Sequence, residues 1–171
     1  MGKKPGKKRK KKKLKLSTVT QRLDKACREY VKERDYQSCQ CCGIHRDATP
    51  LCQLDWSHKI SRKCYVLRWM EFNTIAVCRQ CHLDWGNGIT QPTNNAIDRL
   101  WGEGTCRRLE DIARKHQTSK GTHLDSIDFR LQLEDHYKEK LKLFNKGVSV
   151  TELNTAIWKD FGLDKENMFE V

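Results

Sequence analysis

Residues 39–82 read CQCCGIHRDATPLCQLDWSHKISRKCYVLRWMEFNTIAVCRQCH, from Cys39 to His82. Two Cys-x-x-Cys pairs, Cys39/Cys42 and Cys78/Cys81, bracket His58 and Asn73, and His82 directly follows the second pair. A Cys-x-x-Cys pair sets two thiolates on one turn. Two such pairs make the tetrahedral S₄ set that zinc favours. The 35 residues between Cys42 and Cys78 are too many for a simple loop, so the insert is expected to fold as an element of its own. Cys41 is an alternative ligand to Cys39 or Cys42. Cys27, Cys52, Cys64 and Cys106 read as core cysteines, with Cys52 and Cys64 a weaker pair for a second zinc. Gly43 suits the turn after the first knuckle, where a positive φ is often needed.

Inside this frame, LCQLDW at 51–56 alternates as a strand ending near His58. Residues 60–67 read as the return strand, after a basic loop holding Lys59, Arg62 and Lys63. Residues 68–72 suggest a short turn or helix. Ile75, Ala76 and Val77 form a brief apolar run into the second knuckle, and a helix is expected from Arg79 with His82 in its first turn. Strand, return strand and helix make a ββα-metal unit. The predicted class is α+β, a small zinc-stapled ββα-metal core with mostly helical flanking elements.

Around that core, Val19, Leu23, Ala26, Tyr30 and Val31 recur at helical spacing, so a helix is expected over about 17–36, opened by a Thr18/Gln21 capping box. Lys25, Arg28, Lys32 and Arg34 lie mostly off its apolar face and read as a solvated face with DNA contact as the alternative. Beyond 90 the chain is predicted helical. One helix is capped by Thr93 or Asn94, one runs from Thr105 to His116, and a long one runs from Asp125 or Ser126 to Asn145, stopped by Gly147. Residues 91–147 thus form a helical DNA-binding or dimerisation region, and 148–171 a helical segment or tail. Trp56, Trp69, Trp85 and Trp101 read as core aromatics, with stacking on unpaired bases the alternative. His45 sits near the first knuckle, and His116, His123 and His136 read as surface histidines.

The net charge is +12, but residues 1–16 hold ten Lys or Arg and no acid, which leaves 24 basic against 22 acidic residues in the rest. That tail, with Lys7, Lys8, Arg9 and Lys10 at its centre, cannot bury a core and is expected to be disordered. It fits a polyanion such as DNA without sequence readout. No apolar run is long enough for a membrane span, and the basic start lacks a signal peptide's apolar stretch. A reducing cytoplasm is therefore expected, where nine cysteines point to metal rather than disulfides.

A closed S₄ zinc has no open position for chemistry. That leaves His58, Asn73 and His82. A histidine base and one divalent metal are what phosphodiester hydrolysis needs. His58 is the expected base, Asn73 the residue that holds its imidazole, and His82 a metal ligand. The order Cys-x-x-Cys-Gly, His, Asn, Cys-x-x-Cys-His resembles the HNH endonuclease superfamily. More narrowly it is similar to the phage recombination nucleases of the NinG (Rap) family. The likeness covers about residues 19–145 and includes Lys32-Glu33-Arg34-Asp35, Asp55-Trp56-Ser57-His58, Leu67-Arg68-Trp69 ahead of Asn73, and Gly86-Asn87. It implies a nuclease for branched DNA, Holliday junctions or displacement loops, using magnesium or manganese.

Many HNH enzymes carry an acid or histidine directly before the base, where this chain has Ser57. The spacing therefore nominates Asp55 as a metal ligand, with water or Asp84 as alternatives. Three residues apart on a strand means opposite faces, so a bend or bulge was the expected device for bringing Asp55 to the metal. Lys59, Arg62, Lys63 and Arg68 are the expected phosphate contacts near the cut. The two-fold symmetry of a four-way junction predicts a homodimer, with the long helix at 125–145 a candidate for its interface or for spanning DNA. The competing readings are a homing-type or restriction-type enzyme acting on a specific duplex sequence, and a zinc-stabilised DNA-binding protein without hydrolysis.

Overall fold

The structure, a computed structural model, describes residues 14–49, 52–116 and 126–148. Calls on 1–13, including Lys7, Lys8, Arg9 and Lys10, on His123, and on the last segment lie outside them. The architecture is α+β: a two-stranded sheet among helices. Helix α1 spans Leu16–Arg34, strand β1 Leu54–His58, a single-turn α2 Tyr65–Arg68, and strand β2 Thr74–Cys78. Helices α3 (Arg79–Gly86), α4 (Gln91–Trp101), α5 (Thr105–Lys115) and α6 (Ile127–Phe144) follow.

β1 and β2 run antiparallel in regular register, from Leu54 opposite Cys78 to His58 opposite Thr74. This corrects the predicted return strand. Residues 60–67 form a turn and the start of α2, and the strand is the run Thr74–Cys78. Every residue of β2 is buried. It therefore shows none of the alternation that marks a half-exposed strand, and reads in sequence as a short apolar connector. Ser61, Arg62 and Lys63 stay in solvent, which a core strand would not allow.

α1 and α6 pack along one another and close the core from one side. Leu23, Cys27, Tyr30 and Val31 meet Phe129, Leu133 and Tyr137, and the Tyr30 and Tyr137 rings sit 5.6 Å apart. The apolar side of α6 is thus spent within the chain, and Leu141 packs against the same core. One side of this helix is therefore an internal wall, and its exposed side carries Gln132, Asp135, Lys138, Glu139 and Lys142. Its start behaves as predicted: Ser126 Oγ accepts from the Phe129 N–H, and Gly147 at φ +82° follows its end.

α3 and α5 start at Arg79 and Thr105 as predicted, while two other helix starts differ from expectation. α1 begins at Leu16, with Lys15 giving no side-chain cap, so the Thr18/Gln21 box does not form. α4 begins at Gln91 with Pro92 in its first turn, before Thr93 and Asn94. Proline is pre-set for that position, where a missing N–H costs nothing.

Arg34 is not on a solvated face. It is 5% exposed, pairs with Asp35 at 2.8 Å and donates to the backbone oxygens of Glu71 and Thr74. Asp35 in turn accepts from the Ala76 N–H at 2.7 Å. The pair ties the end of α1 to β2, and its partners satisfy two buried charges that would otherwise be costly.

Candidate metal centre and catalytic cleft

Two turns present the cysteines. In the first, the Cys39 N–H donates to Ile44 O and the Gly43 N–H to Cys39 O, both at 2.8 Å, with Gly43 at φ +78°. A side chain there would be strained, so glycine is required as predicted. In the second, Cys78 caps α3, its sulfur accepting from the Cys81 N–H. The four Sγ atoms of Cys39, Cys42, Cys78 and Cys81 all lie within 4.8 Å of one another, and Cys42 and Cys78 are 3.8 Å apart. Among the described residues this is the one cluster of three or more such groups placed to hold a metal ion.

Charge inside the cluster favours a cation. A hydrogen bond from the Cys41 thiol, then the backbone N–H groups of Cys42, Cys78 and Cys41, outweigh burial and bring Cys39 down to about 3. Burial, with that thiolate nearby, pushes Cys42 and Cys81 up. Further thiolates form only if positive charge joins them. Cys41 stands outside the four and contacts the Thr93 hydroxyl of α4 at 3.6 Å. Cys52 and Cys64 join no such cluster.

His58 ends β1. Its Nε2 lies 2.9 Å from the Arg68 carbonyl oxygen, which can only accept, so Nε2 carries the proton and Nδ1 keeps its lone pair. Burial, with further help from the Arg62 and Arg68 charges, lowers its pKa to about 4, so the ring is neutral at pH 7. Asn73 holds the loop that supplies that carbonyl. Its Nδ2 donates to Leu67 O at 2.8 Å and Ile60 O at 3.1 Å, its Oδ1 accepts from the Ile60 N–H at 2.7 Å, and its carbonyl accepts from Lys59. Asn73 itself has no exposed surface.

Asp55 and His82 come together on the α3 side: Oδ2 and Nδ1 are 2.8 Å apart, with Arg79 at 3.7 Å. The expected bulge is absent. In the regular strand Asp55 faces α3 and meets His82 there, while His58, three residues on, faces the other side of the sheet. Asp84 is held by Gln80 instead. Asp55 and His82 line a cleft of about 520 Å³ with Trp56, and Arg62 lines it too. Trp56 also lies against His58, ring centroids 4.2 Å apart. His58 itself does not line the cleft; Trp56 stands between it and the Asp55–His82 pair.

Of the expected phosphate contacts, Arg62 and Lys63 are exposed. The other two are not available. Lys59 pairs with Glu110 at 2.8 Å, with its side chain 10% exposed. Arg68 is clamped by Asp24, at 2.6 and 3.1 Å, and lies over the Tyr65 and Trp69 rings. Asp24 also accepts from the Trp69 indole. Sequence reading missed Asp24, although an acid among the apolar positions of α1, between Leu23 and Cys27, was its signal. His136 is another correction: it is half-buried against Tyr137, and burial lowers it to about 4.

Trp56 and Trp69 are buried, as core residues would be, while Trp85 and Trp101 are half-buried. No protein family, curated protein or solved structure matches the chain. No described helix is long and apolar enough to cross a membrane.

Proposed function

We propose that this chain is a metal-dependent HNH-type DNA endonuclease of the ββα-metal kind, acting on branched recombination intermediates such as Holliday junctions and displacement loops. The observation that carries the reading is the state of His58. It is neutral, with Nε2–H committed to a backbone carbonyl and Nδ1 left as a base, at the end of β1 beside a loop that Asn73 fastens at both ends. That is what a general base for water needs.

His58 Nδ1 takes a proton from water, and the hydroxide oxygen bonds to phosphorus as the bond to the leaving oxygen breaks. Asn73 keeps the imidazole aimed. Asp55 and His82 offer one carboxylate and one imidazole side by side, a donor set that suits magnesium or manganese with water in the remaining positions. A divalent ion held there supplies positive charge for the scissile phosphate. The four cysteines suit a structural zinc: sulfurs about 2.3 Å from a tetrahedral ion stand roughly 3.8 Å from each other, the separation seen between Cys42 and Cys78. The resemblance of the motif order to the NinG family supports the branched substrate, and junction symmetry supports a homodimer, with an interface other than the buried side of α6.

A second reading has one observation in its favour. Asp55 and His82 bond to each other, and among the described residues no third histidine, cysteine or carboxylate completes a cluster with them. That suits a zinc-stapled DNA-binding protein without hydrolysis. The deciding experiment is cleavage of a labelled four-way junction against linear duplex, in magnesium, manganese or EDTA. Wild type is run beside His58→Ala. Metal-dependent cutting that falls about 10²- to 10⁴-fold in His58→Ala, at unchanged zinc content, is expected. Binding without cutting in either metal overturns the nuclease reading and leaves the second.

A further inference from the structure

The cleft around Asp55 and His82 holds far more positive than negative charge. Arg28 and Lys32 of α1, Arg46, Arg62 and Arg79 all line it, against one carboxylate, Asp55, already shared between His82 and Arg79. Arg28, Lys32 and Arg62 form no ion pair among the described residues, and Arg46 pairs with the exposed Asp47 at 3.6 Å and donates to Gln37 Oε1 at 3.4 Å. Partial burial, and then the Arg28 charge, depress the Lys32 ammonium below its ordinary range. The cations thus repel one another in a concave surface, a state that an anion relieves.

The shape points to a long anion. Arg28, Lys32 and Arg46 also line a second groove, of about 650 Å³, that continues past α1 to Leu141 and Asn145 of α6. The acids on that side are engaged: Glu29 with Lys25, Glu33 with Gln37. Arg28 and Lys32 stand one helical turn apart, about 6 Å along α1, which suits successive phosphates of one strand. The row is continuous across the helix rather than gathered at a single point, as a pocket for one small phosphate would be.

We propose that this face of α1, with Arg46, Arg62 and Arg79, is the seat of a nucleic-acid phosphate backbone. It deepens the nuclease reading of the same cleft, and it adds a wall that the motif of His, Asn and His does not contain.

The test is fluorescence anisotropy of a labelled four-way junction and a labelled duplex with the full chain, without added magnesium or manganese and without chelator, from 50 to 200 mM salt. Wild type is compared with Arg28→Ala/Lys32→Ala. The control is Arg107→Ala/Lys115→Ala, which removes the same charge from exposed positions of α5. The cleft variant is expected to lower the slope of log K against log salt by about 2, since each neutralised phosphate contributes about 0.9. Affinity should fall at least tenfold more than in the control.

Equal losses in the two variants overturn the proposal, as does a wild type that binds neither probe. Should the cleft variant fail to fold by circular dichroism, Arg62→Gln on the exposed loop replaces it, with an expected slope change of about 1. Binding without added magnesium or manganese does not depend on cutting. A protein that cuts nothing but shows the slope change upholds the backbone seat without the nuclease. Cutting lost in His58→Ala with no slope change in the cleft variant upholds the nuclease alone.

Discussion

His58 is held neutral by burial and directed by a carbonyl, and both features have measurable consequences. Its folded pKa of about 4 lies below the ordinary 6.5, and His136 matches it. Unfolding therefore takes up protons between those values. Stability is fully present above about pH 6.5 and is lost as pH falls toward 4. From pH 7 to pH 5, a window in which ordinary carboxylates stay mostly ionised, stability read by urea unfolding should fall by about 2 kcal/mol per histidine. His136→Gln should remove about half of that decline. Asn73→Ala deletes three buried hydrogen bonds and should cost about 2–4 kcal/mol, read by urea unfolding at pH 7. A cost under 1 kcal/mol would mean that the loop from Lys59 to Arg68 is held elsewhere.

At the scale of an element, the junction of β2 and α3 does two jobs through one sulfur. Cys78 belongs to the four-cysteine cluster and also caps α3. Serine keeps the cap but not the thiolate, and alanine keeps neither. Cys78→Ser should lose bound zinc, and Cys78→Ala should lose it too and unfold about 1 kcal/mol more easily, the usual worth of such a cap. Zinc content by elemental analysis and thermal melts separate the two effects. Equal melts would show that the cap adds nothing once the metal is gone. The helix also carries His82, so its orientation depends on the knuckle, and stripping a zinc loaded on the four cysteines should disturb the Asp55–His82 pair well before it disturbs α6.

Across the whole molecule, the site is braced from a distance by α6. Lys140 bonds to the buried Glu71, which also accepts from the Tyr30 hydroxyl at 3.1 Å, and the Tyr137 hydroxyl donates to the Trp69 carbonyl. Trp69 and Glu71 lie on the segment between α2 and Asn73, so α6 supports the loop that aims His58. Lys140→Met leaves the Glu71 carboxylate buried without its cation and should cost about 3–5 kcal/mol. Adding Glu71→Gln to that variant should recover much of the loss in chemical unfolding, because the stranded charge is gone. No recovery would show that packing of the Lys140 stem, rather than charge, sets the cost.

Local chemistry written in the sequence determined the two cysteine turns, the glycine between the first knuckle and Ile44, the strand that ends at His58, and the helix that begins at Arg79. Each is a rule of spacing or backbone freedom acting within a few residues. The tertiary structure alone decided which segment returns beside β1, because a fully buried strand carries no alternation. It alone decided that Lys59 and Arg68 are spoken for by Glu110 and Asp24, partners 51 and 44 positions away. It placed the exposed Arg28 and the half-buried Lys32 along one cleft, and packed the apolar side of the long helix against α1. Charge and apolar surface are properties of a residue. Whether they are spent inside the fold or left for a partner depends on what the rest of the chain brings against them.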